Sequence, residues 1–198
     1  MAIVTASNLN VEQSDEQLLT RYSRGDRSAL EVIFHRYRET AYRVAQRLLG
    51  NEGDALDAVQ EGFIKALKNL RYFERRSSFK TWLLRIVSNA SLDLGRQRGR
   101  RETLSLDAID WSEQGLALSV NGNDPVQDVE QADLRQALDR ALAELPESQR
   151  RTFVLHVDAG LSYREIASVM NISIGTVMSR LFYARQKLKG LLAARMTV

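Results

Sequence analysis

Apolar side chains recur at three- and four-residue steps along most of this chain, the spacing that lines one side of an α-helix. Leu30, Ile33, Phe34, Tyr37, Ala41, Val44, Ala45, Leu48 and Leu49 follow that rule. They predict a helix of about six turns that stops at Gly50. Ahead of it, Ser14 and Gln17 have the form of a capping box and predict a short helix through Tyr22, before Gly25-Asp26 breaks the chain. A third helix is expected from about Asp54, with Leu56, Val59, Phe63, Ile64, Leu67 and Leu70 as its stripe. Gly62 inside it costs about 1 kcal/mol relative to Ala, which points to a close approach by another element. A fourth helix, from about Ser78 to Gln97, carries Phe79, Trp82, Leu83, Ile86, Val87, Ala90 and Leu94. Four helices of this kind make one compact domain.

The periodicity lapses over residues 99–125, where Gly99, Gly115, Gly122 and Pro125 stand among scattered Asp and Asn. That composition predicts a flexible, acidic linker. Leu104, Leu106, Ile109, Trp111, Leu116 and Leu118 are too many apolar groups for an inert spacer, so the linker is expected to bind something along its length. Helical patterning resumes at about 127–143, 146–159, 162–170 and 174–193. Pro146 suits a first helical turn, Gly160 is a stop, and Ser162 with Glu165 forms a second capping box. The fold class is all-α: two small helical domains joined by a flexible linker. The divisions are a flexible N-terminus over 1–13, a helical domain over 14–98, the linker over 99–126 and a second domain over 127–194.

The second domain holds a specific signal. A short helix with Ile166, Ala167 and Met170 inward is followed by a tight connection at Asn171–Ser173. The next helix turns Val177, Leu181, Ala184 and Leu188 inward. Two helices joined so closely form a helix-turn-helix, whose second helix enters the major groove of DNA. Ser173, Gly175, Thr176, Ser179 and Arg180 then lie at the end that reaches base edges, and Arg185, Lys187 and Lys189 continue as a basic face for phosphates. An antiparallel helix pair with no DNA role is the plainer alternative.

Charge adds a second site. The net charge is only +3, yet residues 71–101 carry +7, residues 103–149 carry −8 and residues 150–198 carry +6. Two basic blocks separated by an acidic one suggest two contacts with a polyanion, although solvated helix faces would give a similar tally. In the first block Tyr72, Phe73, Phe79 and Trp82 interleave with Arg71, Arg75, Arg76, Lys80 and Arg85, and Arg96, Arg98, Arg100 and Arg101 follow. Rings that stack on bases beside cations that track phosphates suit unpaired DNA. Phe79 and Trp82 fit the apolar core as well. Asn89, polar on a mostly apolar helix, could read the edge of an extruded base or cap an interior network.

Other classes recede. There is no cysteine, and His35 and His156 lack ligand spacing, so no metal site or cofactor is expected. No stretch is apolar enough to span a bilayer, and the first residues do not resemble a secretion signal, so a cytoplasmic protein is expected. Asp54, Asp57 and Glu61 are the only candidates for metal-assisted catalysis, without a phosphate-binding loop. An enzyme is therefore not expected. An ordinary helix-turn-helix regulator remains open; it would bind a palindromic duplex by itself.

The segment Asp54-Ala-Leu-Asp-Ala-Val-Gln-Glu-Gly-Phe-Ile-Lys-Ala-Leu closely resembles the part of sigma factors that docks on RNA polymerase. Phe79-Lys-Thr-Trp-Leu-Leu-Arg-Ile-Val-Ser-Asn, closing on Asp93 and Arg96, resembles their −10-reading helix. Leu145-Pro-Glu-Ser-Gln-Arg, Gly160-Leu-Ser-Tyr-Arg-Glu-Ile-Ala and Gly175-Thr-Val-Met-Ser-Arg-Leu resemble their −35-reading domain. The short linker resembles the extracytoplasmic-function branch. The resemblance implies that Asp54, Asp57, Gln60, Glu61, Phe63 and Lys65 face or support a polymerase surface. It implies that Phe79, Lys80, Trp82, Arg85, Asn89 and Arg96 lie by the −10 strand. Ser173, Gly175, Thr176, Ser179, Arg180, Arg185 and Lys189 would serve the −35 duplex. The implied partners are core RNA polymerase (its beta-prime clamp helices and beta flap), promoter DNA and an anti-sigma factor, with no small-molecule substrate. Met178 and Tyr183 stand where the family often has basic residues, a loss of cations that weakens phosphate anchoring.

Overall fold

The structure, a computed structural model, describes residues 13–105 and 136–196. Residues 1–12 of the expected flexible N-terminus (1–13) and residues 106–126 of the expected linker (99–126) lie outside those residues.

Local signals set the first helices. Ser14 opens α1 (Asp15–Ser23) with a complete capping box: its Oγ accepts from the Gln17 N–H at 3.3 Å and its own N–H donates to Gln17 Oε1 at 2.9 Å. The Asp15 carboxylate then takes hydrogen bonds from Arg36 and from the Tyr37 hydroxyl, pinning α1 across α2 (Ser28–Leu49). Gly50 ends α2 in a left-handed conformation (φ 79°), which glycine adopts without steric cost. α3 (Glu52–Asn69) begins two residues before Asp54, because Asn51 is the cap and its side chain accepts from the Asp54 N–H at 2.8 Å. A single 3₁₀ turn (Leu70–Tyr72) leads toward α4 (Phe79–Ser105), where the Ser78 hydroxyl accepts from the Thr81 N–H. α4 runs past the expected end at Gln97 to Ser105.

The expected stripe of α3 is rotated. Its buried side consists of Ala55, Ala58, Val59, Gly62, Phe63 and Ala66, whereas Leu56, Ile64 and Leu67 are exposed. The cause is a close crossing with α4. A Cβ on Gly62 would lie 2.8 Å from a Val87 methyl and 3.1 Å from the Val87 Cα, so only glycine fits. The small residues of α3 face α4, and its larger apolar groups look outward.

In the second unit, α5 (described over 136–143) precedes α6 (Glu147–Val157), α7 (Tyr163–Met170) and α8 (Ile174–Met196). Pro146 is the residue capping α6, one position before the first turn expected for it. Ser162 and Glu165 form the expected box at α7. Asn171 ends α7 in the left-handed region (φ 53°), and the Ile172 N–H returns to the Ala167 carbonyl. The inward residues of α7 are Ile166 and Val169, with Ala167 and Met170 only partly buried. Val177, Leu181, Ala184 and Leu188 of α8 are buried as expected.

The two units touch. Buried residues of α2, α3 and α4 form one cluster with Leu155, Leu161, Ile166 and Val169, while Leu142, Leu145 and Leu188 anchor a smaller one. Polar bridges ring this junction. Arg47 of α2 pairs with Asp139 and Asp158, and Arg96 pairs with Glu147 at 2.7 Å. The Thr81 hydroxyl donates to Glu165 at 2.7 Å.

Candidate nucleic-acid interface

The amino-terminal end of α8 is held by its own cap. Ser173 Oγ accepts from the Thr176 N–H at 3.1 Å, and the two hydroxyls lie 2.9 Å apart. Ser173 therefore fixes where the helix begins. The Ser179 hydroxyl is turned back onto the Thr176 carbonyl at 3.0 Å. Gly175, Ser179, Arg185 and Lys189 are exposed, and Thr176 and Arg180 are half-buried along one flank. Lys187 donates to the Glu144 carbonyl, tying α8 to the end of α5. Small residues at the centre and cations on both sides give a surface that can enter a groove and hold both of its phosphate walls.

The candidates on α4 divide into two groups. Trp82, Arg85, Asn89 and Arg96 lie three, four or seven residues apart and share one side. With Lys65, Asn69 and Tyr72 the first three line a cleft of about 400 Å³ between α3 and α4. Trp82 is half-buried, and its ring lies 5.1 Å from Phe73 and 5.6 Å from Phe79, so one edge belongs to the core and the other to the cleft. Phe79 is core, packed also against Tyr37. Lys80 points elsewhere: its Nζ lies 3.7 Å from where a Cβ on Gly160 would be, beside α7. With the two units joined, neither is presented to a strand at the cleft.

One residue that sequence reasoning missed sits on this face. Arg151 of α6 donates to Ser88 Oγ at 2.9 Å and to Asn89 Oδ1. Burial, with Arg85 and Arg96 nearby, pulls its guanidinium down to about 10, while its Nε has no hydrogen-bond partner among the described residues. A half-satisfied buried cation is a costly way to close a junction. Asn89 is thus engaged by α6 and exposed to the cleft at once. Nothing in the periodicity of α6 signals Arg151; the motif read there ends at Arg150.

On α3, Asp57, Gln60 and Glu61 are exposed on the outer side, and Glu61 pairs with Lys65 at 2.6 Å. Asp54 faces α4, where the Asn51 amide and then Arg98 hold its carboxyl below the ordinary carboxylate value. Phe63 is buried, its ring 4.7 Å from Phe34, and serves as support. Beside Gln60, the exposed Leu56, Ile64 and Leu67 line an apolar groove of about 580 Å³ with Leu30 and Phe34. Among the described residues no helix is long and apolar enough to cross a membrane.

Comparison with known proteins assigns both units. Residues 33–101 match Sigma-70 region 2, and residues 135–188 match Sigma-70, region 4. The chain is 37% identical over 181 residues to the ECF RNA polymerase sigma-E factor of Escherichia coli (strain K12), covering 90% of this chain and 94% of that one. It is 33% identical over 182 residues to the RNA polymerase sigma-H factor of Pseudomonas aeruginosa, covering 88% and 92%. Among solved structures it is similar to CnrH in complex with the cytosolic domain of CnrY. There identity is 25%, coverage 92% of this chain and 99% of that one, and the TM-score 0.68. It is also similar to the sigma factor RpoE in complex with the anti-sigma factor NepR from Bartonella quintana, with 27% identity, 83% and 96% coverage and a TM-score of 0.64. The first match begins within α2 and ends within α4, and the second covers the helix-turn-helix. The chain belongs to the extracytoplasmic-function (ECF) branch of the sigma-70 family of RNA polymerase sigma factors.

Proposed function

We propose that this sigma factor divides promoter-specific initiation among three faces: α3 for core RNA polymerase, the end of α8 for the −35 duplex, and the α4 cleft for unpaired −10 bases. The observation that carries this reading is the pairing in one chain of a helix-turn-helix face with a separate aromatic-and-amide cleft. A duplex reader alone needs no such cleft. Asp57, Gln60 and Glu61 offer exposed polar groups to the polymerase clamp, beside the apolar groove. Trp82 provides a stacking edge, Asn89 a base-edge amide, and Arg85 and Arg96 cations for the strand. Asn89 meets a base only after Arg151 lets go, so productive binding separates α6 from α4.

The domain divisions 14–98, 99–126 and 127–194 follow from the same reading, with α4 continuing into the linker. The work is binding and strand capture, without catalysis, and its place is the cytoplasm, where the template is. An anti-sigma factor is the expected regulator, because one solved relative, the sigma factor RpoE, is in complex with an anti-sigma factor.

Transcription with purified core polymerase, this protein and fragmented genomic DNA, with RNA starts mapped, tests the whole. Discrete starts sharing an upstream bipartite element are expected. Absence of specific starts together with failure to bind core polymerase would overturn the reading.

A further inference from the structure

The exposed side of the recognition helix is unexpectedly apolar. Ile174, Met178 and Phe182 follow one another at four-residue intervals and are 43%, 55% and 56% exposed. Tyr183, 56% exposed, stands against Phe182 with the rings edge to face at 5.4 Å. None of the four belongs to either buried cluster. They lie in the amino-terminal half of α8, the half from which a helix-turn-helix reaches base edges. Arg180 and Lys187 lie on the opposite flank of the helix, and Arg185 and Lys189 continue the line of the stripe toward the carboxyl end.

We propose that α8 reads thymine: the stripe of Ile174, Met178 and Phe182 packs on C5-methyl groups in the −35 major groove, in place of base hydrogen bonds from cations. The inference rests on the assignment of α8 to the −35 duplex. The thymine methyl is the one apolar group on the floor of that groove, and apolar side chains are its natural partners. Arg180 and Lys187 on the opposite flank, with Arg185 and Lys189 beyond the end of the stripe, complement DNA phosphates, which a purely apolar protein partner would leave unanswered. Gly175 and Ser179, at the middle of the exposed side, let the helix lie close. From Ile174 to Phe182 the helix rises about 12 Å, so the stripe spans about three base-pair steps. Two or three thymines, on either strand, fall within its reach.

The test uses holoenzyme and the strongest promoter found by start mapping. Selection from a library randomised at the −35 element should enrich thymine at two or more positions. Replacing only those thymidines with deoxyuridine keeps every hydrogen bond and removes the methyl. Open-complex formation should fall about fourfold per methyl, the equivalent of one buried methyl group. Met178→Ala and Phe182→Ala, both at exposed positions, should lower activity on thymidine and make the enzyme indifferent to deoxyuridine. Arg180→Ala should lower activity yet keep the sensitivity. Equal activity of the wild type on both templates overturns the proposal. So does a stripe whose substitutions weaken only binding to a protein partner. If scrambling the whole −35 element changes nothing, the assignment of α8 itself fails; if scrambling matters and the methyls do not, only the thymine inference fails.

Discussion

The two faces assigned to DNA are presented in opposite ways. At the start of α8 the reading side carries small, apolar and cationic groups directly to solvent. On α4 the reading side is shared: Trp82 is half core, and Asn89 is held by Arg151 from the other unit. A site open in the resting protein binds at its intrinsic strength, whereas one that must first be uncovered binds more weakly by the fraction of molecules uncovered. On the proposed assignment, the free protein would meet −35 duplex readily and take a −10 strand reluctantly. Core polymerase, by holding the units apart, would restore the second site.

The strongest way to break this contrast is to disturb α4 from beneath. Gly62→Val drives a side chain into Val87, and should cost about 3 kcal/mol in denaturant unfolding and abolish −10 strand capture. An unchanged unfolding midpoint would contradict the close crossing. Arg180→Ala attacks the open face. It should reduce −35-dependent transcription roughly tenfold, in line with about 1.5 kcal/mol for a charge-assisted contact to a phosphate, and spare pre-melted templates lacking a −35 element. Loss on both templates alike would refute the division.

Smaller effects sharpen it. Asp57→Ala with Gln60→Ala should weaken core-polymerase binding by about 1–2 kcal/mol without changing stability, as seen in a titration with labelled core. Unaltered affinity would remove α3 from the docking surface. Arg151→Ala should raise the affinity of the free protein for −10 single strand about threefold and leave duplex binding alone. A fall instead would mean that Arg151 binds the strand rather than guarding it. The least effect is one of pH. Burial alone would raise the Glu165 carboxyl, but the Ser162 N–H and hydroxyl and the Thr81 hydroxyl outweigh it and hold it below its ordinary 4.5. Its contribution to stability is complete above that value and is lost as pH falls through the lowered one. Glu165→Gln should flatten the acid side of the stability profile; an unaltered profile would show that the carboxylate contributes nothing.

What could be read from residues alone was local. Ser14 with Gln17, Gly50, and Ser162 with Glu165 act through neighbours a few positions away, and each placed a helix end correctly. The helix-turn-helix was legible for the same reason. The face of α3 was not, because Ala55, Ala58 and Ala66 weigh little in an apolar pattern yet pack most tightly beside a glycine. Gly99 and the arginines around it read as a break, although α4 passes through them. The junction was invisible: Arg47 meets Asp139 across 92 positions and Arg151 meets Asn89 across 62. Of the candidate site residues, Phe63 and Phe79 became support and Lys80 turned away from its group. Each lies on a helix whose rotation is fixed by packing rather than by pattern.

Glu165 divides its two oxygens between two tasks. Oε2 receives the Ser162 N–H and hydroxyl, completing the start of α7, while Oε1 receives the hydroxyl of Thr81 on the other unit. Parting the units frees only the second oxygen, and the helix keeps its beginning. The joint can thus come apart and re-form as a hinge between rigid pieces, at the microsecond-to-millisecond pace of such motions, with no helix to rebuild on either side. A regulator acting on this protein would need to part the apolar cluster and the ion pairs that join the units, but would have no helix start to restore afterwards.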